Sequence, residues 1–259
     1  MTRSHDKVVE AQFGSQAQAY VASAVHAAGE DLDALEAIAV REQPDRAIDL
    51  GSGGGHVAYR LARHARSVTA ADLSAQMLDA VRETARQRGL SNIDTCVAPA
   101  ESLPFEDATF DLLACRYSAH HWRDWAAGLR EARRVLKPGA SAIFIDVVSP
   151  GHAPFDTHLQ AVELLRDPSH VRDYAEAEWM ATLAQAGFRV RNTVKRRLRM
   201  DYPSWVDRMR TSEPHRAAIR SLQQLAAAET ATYFAIEADG SFSIDALQIE
   251  ATACRTRTG

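Results

Sequence analysis

The sequence predicts an α/β protein built on a mostly parallel sheet with helices on both faces. Three observations carry that prediction. Short apolar runs alternate with helical patterns from residue 47 to residue 148. The first run, Ala47-Ile48-Asp49-Leu50, leads into a glycine-rich turn, Gly51-Ser52-Gly53-Gly54-Gly55. The second run ends in an acid, Asp72, close to the spacing of about 20 residues at which such sheets place a ribose-binding carboxylate.

Each element has its own signal. Residues 1–14 are polar and read as a frayed end or a strap laid over the body. Residues 15–41 carry apolar positions at helical spacing, among them Tyr20, Val25, Leu32, Leu35 and Ile38. Gly29 divides this stretch, and Glu30 and Asp31 open its second helix. The first strand is 47–50, followed by a helix over 57–64 and a second strand over 67–72. Ser74 caps a helix that runs through Met77, Leu78, Val81 and Ala85 and stops at Gly89. The third strand is 93–98 and the fourth 110–115, with a loop over 99–109 between them. A helix over 122–136 ends at the turn Pro138-Gly139, and 140–148 is a fifth strand, apolar enough to be buried on both faces.

Beyond Pro150 the texture changes. Helices are expected at about 155–166 and 176–186, the latter ending at Gly187. Residues 188–200 alternate basic and other residues, as a strand with one solvated face does. Residues 203–228 read as helical with a break at Pro214; 232–237 reads as a strand, Asp239-Gly240 as a turn and 241–254 as a final strand. The chain is thus read as one domain over 1–259. It has an N-terminal helical cap (15–41), a ligand-binding core (47–148), further cap helices (151–186 and 201–230) and C-terminal strands (188–200 and 232–254).

Composition bounds the function. Hydrophobic residues at 46% and charged residues at 25% suit a soluble globular protein. A net charge of -4 argues against general binding of nucleic acid. Cys96, Cys115 and Cys254 are odd in number, far apart and without metal-ligand spacing, which fits free thiols in a reducing cytosol. The first residues carry no apolar signal region, and the longest apolar runs fall short of the roughly 18–20 residues that span a bilayer. A cytoplasmic protein with neither membrane nor nucleic-acid partner is expected. No metal site is expected either, since the adjacent pair His120-His121 lacks a third ligand.

The glycine turn narrows the ligand. Gly55-His56-Val57 lacks the Gly-Lys-Ser/Thr ending of a phosphate-binding loop, and His56 stands where the last glycine of a dinucleotide fingerprint belongs. An acid just before the loop, Asp49, is awkward beside a pyrophosphate and suits a cation. The pattern Asp-x-Gly-x-Gly-x-Gly fits S-adenosylmethionine, whose methionine end carries an ammonium and a sulfonium. Asp72 is placed to hold ribose hydroxyls, Leu73 and Met77 to cover the adenine, and Ala100 and Glu101 to meet its edge.

These segments, with Ala71-Asp72-Leu73-Ser74, Ala100-Glu101-Ser102-Leu103-Pro104-Phe105, Phe110-Asp111 and Arg134-Val135-Leu136-Lys137-Pro138-Gly139-Ala140, resemble the class I S-adenosylmethionine-dependent methyltransferases. The likeness is greatest to the type 11 group that includes the ubiquinone/menaquinone C-methyltransferases. It covers 47–148 well and the rest weakly. The resemblance implies a Rossmann-like seven-stranded sheet, six strands parallel and one near the end antiparallel. It also implies that Asp49, Gly51, Ser52 and Gly53 hold the methionine end, Asp72 the ribose, and Ala100 and Glu101 the adenine surround, with S-adenosylhomocysteine as product. Pro99 departs from the family, which often has an acid there.

The acceptor side follows strand four, in Cys115-Arg116-Tyr117-Ser118-Ala119-His120-His121-Trp122. Arg116 is assigned to the cofactor side. His120 and His121 are the candidate general bases, since imidazole titrates near neutral pH. Tyr20, His26, Ser118 and His170 are candidate acceptor contacts. The segment lacks the Asp/Asn-Pro-Pro-aromatic pattern of base amino-methylases and the Gly-Leu-Arg-Asn-like pattern of the quinone methyltransferases. A small-molecule acceptor is expected, with an RNA or protein methyltransferase, or a non-catalytic cofactor-binding module, as alternatives. The basic run Arg189 to Arg199 is read as the solvated face of an edge strand.

Overall fold

The computed structural model describes residues 4–14 and 29–255. Helices α1 (His5–Gly14) and α2 (Glu30–Glu42) precede strand β1 (Arg46–Leu50). Helix α3 (His56–Leu61), strand β2 (Ser67–Asp72), helix α4 (Ala75–Gln87), strand β3 (Ile93–Val97) and strand β4 (Phe110–Arg116) follow. A single 3₁₀ turn (Ala119–His121) leads to helix α5 (Trp125–Val135) and strand β5 (Leu136–Val148). The rest comprises α6 (Ala153–Arg166), α7 (Glu176–Ala186), β6 (Phe188–Met200), α8 (Tyr202–Arg208), α9 (Glu213–Gln224), α10 (Ala228–Tyr233) and β7 (Phe242–Ala253).

The strands form one seven-stranded sheet in the order β3-β2-β1-β4-β5-β7-β6. Strands β1 to β5 pair in parallel, and β7 runs antiparallel to both β5 and β6. Six strands therefore share one direction, as the resemblance implies. Side chains alternate between two cores, one on each face. Ile48, Leu113, Cys115 and Phe144 join Trp125 and Trp179 on one side. Ala47, Leu112, Ala114, Ile143 and Ile145 join Leu32, Leu35, Val57 and Leu78 on the other. A third cluster, with Leu159, Val162, Trp205, Ile219, Phe234 and Ile244, binds α6, α8 and α9 to the far end of β7.

The strand order reverses between β1 and β4, whose carboxyl ends lie side by side with Asp49 opposite Ala114. Open sheets bind ligands at that point. The local signals behave as read from the sequence: Ser74 Oγ accepts from the Met77 N–H at 3.2 Å, and Gly187 ends α7 with φ 92°.

Four expectations are corrected. Residues 5–14 are not frayed: they form a helix, α1, laid over the body, and its His5 Nε2 donates to the His121 carbonyl at 2.9 Å. The helix expected over 122–136 starts at Trp125, because Asp124 is its cap and accepts from the Ala127 N–H at 2.9 Å. Pro138-Gly139 lies within β5, where Phe110 pairs with Leu136 but Leu112 pairs with Ser141, so the turn is a bulge in a continuing ladder. Residues 232–237 contain no strand. Helix α10 covers Tyr233, and the Phe234 N–H continues it to the Thr230 carbonyl at 3.0 Å. Strand β7 is paired on both sides, so no ladder position remains, and stacking of Tyr233 on Phe155 (4.6 Å between ring centres) overrides the strand preference of these aromatics.

The basic run lies on the edge strand β6, where its cations meet acids. Lys195 pairs with Glu176 at 3.0 Å, Arg197 with Asp245 at 2.9 Å and Arg199 with Glu237 at 2.6 Å. No helix among the described residues is long and apolar enough to cross a membrane.

Candidate active site

The glycine turn is pinned to the end of β2. The Gly51 and Ser52 N–H groups both donate to the Ala71 carbonyl, at 2.8 and 2.9 Å. The Gly53 N–H donates to one oxygen of Asp72 at 2.8 Å, and the Ser74 N–H donates to the other at 2.8 Å. Asp72, singled out as a ribose ligand, is thus also the clamp of the loop. Asp49 works from the opposite side, accepting from the Ala58 N–H in α3 at 3.0 Å. Gly51 is required by geometry: its φ is 72°, and a Cβ there would overlap the Ser118 hydroxyl and lie 2.5 Å from the Ser118 Cβ.

Both acids are held in their protonated direction. Burial raises Asp49 to about 7, and the neighbouring Asp72 carboxylate adds to this against the Ala58 N–H and the Arg116 guanidinium. Burial also raises Asp72, opposed by the N–H donors that surround it. Two carboxyls poised this way favour a ligand that brings a positive charge and hydroxyl donors.

The loop forms one wall of a cavity of about 910 Å³. That volume is near the top of the roughly 300–1,000 Å³ range of small-molecule sites, enough for two ligands together. The cavity brings together Asp49, Gly51, Ser52, Gly53, Asp72, Leu73, Met77, Ala100, Glu101 and Arg116 with Ser118, His120 and His121. Glu101 has a further task, since its carboxylate accepts from the Asp124 N–H at 3.1 Å ahead of α5. Arg116 donates from Nε to buried Asp31 at 2.6 Å and so joins β4 to the first turn of α2. Tyr117 turns the chain out of β4 with φ 51°, an uncommon conformation for a side chain of its size. His170 does not reach the cavity wall; it is buried, with Nε2 2.9 Å from Gln160 Oε1. Tyr20 and His26 lie outside the described residues.

Elsewhere in the cavity wall, His120 Nδ1–H donates to Asp146 Oδ1 at 2.6 Å, and the His120 backbone N–H reaches Asp146 Oδ2 at 3.2 Å. Burial disfavours the imidazolium, but the Asp146 charge and hydrogen bond outweigh it and lift His120 to about 9. Nδ1 is committed, so Nε2 is the nitrogen left for proton exchange. The rings of His121 and His170 lie 4.1 and 5.8 Å from His120. Burial, with the charge of His120, lowers His121 to about 4 and drives His170 far down as well. Of three adjacent imidazoles, one holds the charge.

Several residues at the cavity carry no motif: Glu163, Asp173 and Trp205 in the wall, His5 and Phe13 on α1, and Asp146 behind His120. Asp146 had one legible signal, a lone acid inside Ala142-Ile143-Phe144-Ile145-Asp146-Val147-Val148. A charge in a buried strand needs a partner.

Residues 48–144 match the family described as methyltransferase domain. The chain is 48% identical over 197 residues to the uncharacterized protein YafE of Escherichia coli, covering 76% of this chain and 95% of that one. It is 33% identical over 199 residues to the uncharacterized methyltransferase YcgJ of Bacillus subtilis, covering 77% and 79%. The crystal structure of YcgJ superposes with a TM-score of 0.83 at 29% identity, covering 87% of this chain and 98% of that one. The 2-phytyl-1,4-naphtoquinone methyltransferase of Nostoc is 38% identical over 124 residues, 45% of this chain and 52% of its own.

Proposed function

The chain belongs to the S-adenosylmethionine-dependent methyltransferases, and from that footing we propose that it methylates a small-molecule acceptor bound beside His120. The observation that carries the proposal is a shared cavity. One end has the pinned glycine turn with Asp49 and Asp72, and the other has His120 backed by Asp146.

The residues present suit the cofactor. Ser52 Oγ is buried in the cavity wall without a hydrogen-bond partner among the described residues, and Asp49 is a buried acid next to it. Asp49, Gly51, Ser52 and Gly53 would hold the methionine end, Asp72 the ribose, and Leu73, Met77 and Ala100 the adenine. When bound, S-adenosylmethionine supplies a methyl carbon made electrophilic by the adjoining sulfonium. An acceptor lone pair would take that methyl group by in-line displacement, with the sulfur keeping the electron pair of the carbon–sulfur bond.

The chain's residues orient and deprotonate. Alignment of the two reactants supplies most of the rate. His120 receives the acceptor's proton at Nε2, and Asp146 fixes the tautomer and steadies the imidazolium that results. A positive charge arriving at the cofactor site favours neutral His120, so cofactor binding prepares the base. The enclosure of the site by α1, α6 and α8 supports an acceptor small enough to enter.

Calorimetry with S-adenosylhomocysteine tests the cofactor half: binding is expected, with at least a tenfold loss for Asp72→Ala. Transfer of labelled methyl from S-adenosylmethionine to a panel of small acceptors tests the other half. Binding without turnover on any acceptor would sink the catalytic reading.

A further inference from the structure

The proposed reaction leaves one part of the cavity wall without a role. Asp173 is 1% exposed and contributes to the wall beside Glu163 and Arg166. Among the described residues its Oδ2 has no hydrogen-bond partner. The His170 Nε2 stands 3.9 Å away and is taken up by Gln160 Oε1. Its neighbours are otherwise satisfied. Glu163 pairs with Arg166 at 3.2 Å, and Asp167 accepts from the Ser169 N–H and hydroxyl at 2.8 and 2.6 Å. Asp146 is held by His120.

Four buried carboxyls, on Asp146, Glu163, Asp167 and Asp173, are gathered here with His120 and Arg166, and Arg196, Arg197, Arg199 and Arg208 also line the cavity. His121 and His170 are held neutral by burial and by the charge on His120. Burial and the Glu163 carboxylate together drive the Asp173 carboxyl well above its ordinary range. Such a group gains most from a partner bearing positive charge. The described side chains do not gather into a metal-holding cluster here. Apolar groups complete part of the wall: Arg166 lies over the Trp205 ring at 4.8 Å, and Val147, Leu198, Met200 and Ile244 line the same cavity.

We infer that the acceptor is an amine on an apolar body, its ammonium or N–H received by Asp173 Oδ2 beside Glu163 and its body lying along Trp205, Val147 and Ile244. This rests on the methyltransferase reading above and names its acceptor class. An alcohol would satisfy the oxygen but bring no positive charge to the carboxyl, and a carboxylate would meet repulsion from Glu163.

The test uses the whole protein saturated with S-adenosylhomocysteine and three matched probes: 2-phenylethylamine, 2-phenylethanol and phenylacetate. Calorimetry is expected to show the amine binding at least tenfold more tightly than the alcohol, with no binding of the acid. Asp173→Asn should cost the amine tenfold or more and leave S-adenosylhomocysteine affinity within twofold. Equal binding of amine and alcohol, binding of none up to the solubility limit, or an unchanged amine affinity in a folded Asp173→Asn variant overturns the assignment. The wild-type comparison decides alone if that variant does not fold. Failure of the wild type to bind S-adenosylhomocysteine would strike the cofactor reading instead, whereas S-adenosylhomocysteine binding without amine preference overturns the acceptor class only.

Discussion

His120 Nδ1–H donates to Asp146 Oδ1 across 2.6 Å, joining the turn after β4 to the buried strand β5. The pair holds a positive charge that burial alone would expel. It therefore ties the protonation of this part of the cavity wall to one residue of the sheet.

Asp146→Asn should release that charge. With the carboxylate gone, burial dominates, and His120 should titrate below its ordinary 6.5 instead of at about 9. Histidine NMR titration measures this directly. The stability sign follows: His120 is raised in the fold, so its contribution is fully present below about 6.5 and is lost as pH rises through about 9. Wild type should exceed the variant by roughly 1–3 kcal/mol at pH 6, the range of a hydrogen bond to a charged group, and by less at pH 9.5. The alkaline rise of methyl transfer should move to lower pH in the variant.

Cofactor affinity should rise between pH 6 and 8. Asp49 titrates at about 7 without ligand, and a cationic ligand selects its ionised form. Binding should release up to one proton, read from calorimetry in buffers of different ionisation enthalpy. Asp49→Asn should flatten the pH dependence and weaken binding at pH 8. Without ligand, this raised acid stabilises the fold below about 4, and that contribution is lost as pH rises through about 7.

Gly51→Ala should cost about 1–3 kcal/mol of stability and most cofactor binding, because it combines φ 72° with overlap on Ser118. Adding Ser118→Gly removes the overlap but not the backbone strain. The double variant should recover part of the loss in denaturant unfolding, and a complete recovery would show that the dihedral is immaterial.

The Arg116–Asp31 pair is nearly dry, with side chains 7% and 9% exposed. Asp31→Ala leaves a buried guanidinium poorly matched and should destabilise by about 3–5 kcal/mol. The loss should change little between low and high salt, unlike that of an exposed pair.

The sheet was legible because glycine, proline and serine punctuate its elements. Ser74, Gly89 and Gly187 end or start helices where their backbone chemistry places them. The cofactor wall was legible because a tight βα turn leaves little choice of residue at Gly51. The acceptor wall was harder to read. Asp146 comes from β5, Glu163 from α6 and Asp173 from the loop after α6, and only folding brings them together. Helix α1 is polar over most of its length and gives little periodic signal; among its described residues only Val9 is buried. Tyr233 and Phe234 favour strands by type, and contacts with α6 decided otherwise.

Strand β7 enters the sheet between β5 and β6, although it follows both in the chain. During synthesis β5 therefore emerges with one flank bare and waits for residues 242–253 before that flank is sealed. The emerging polypeptide carries a sticky β5 edge through the production of five helices and β6, and a ribosome stalled in that interval holds an aggregation-prone chain. Early termination before residue 242 should deliver inclusion bodies rather than a shortened enzyme.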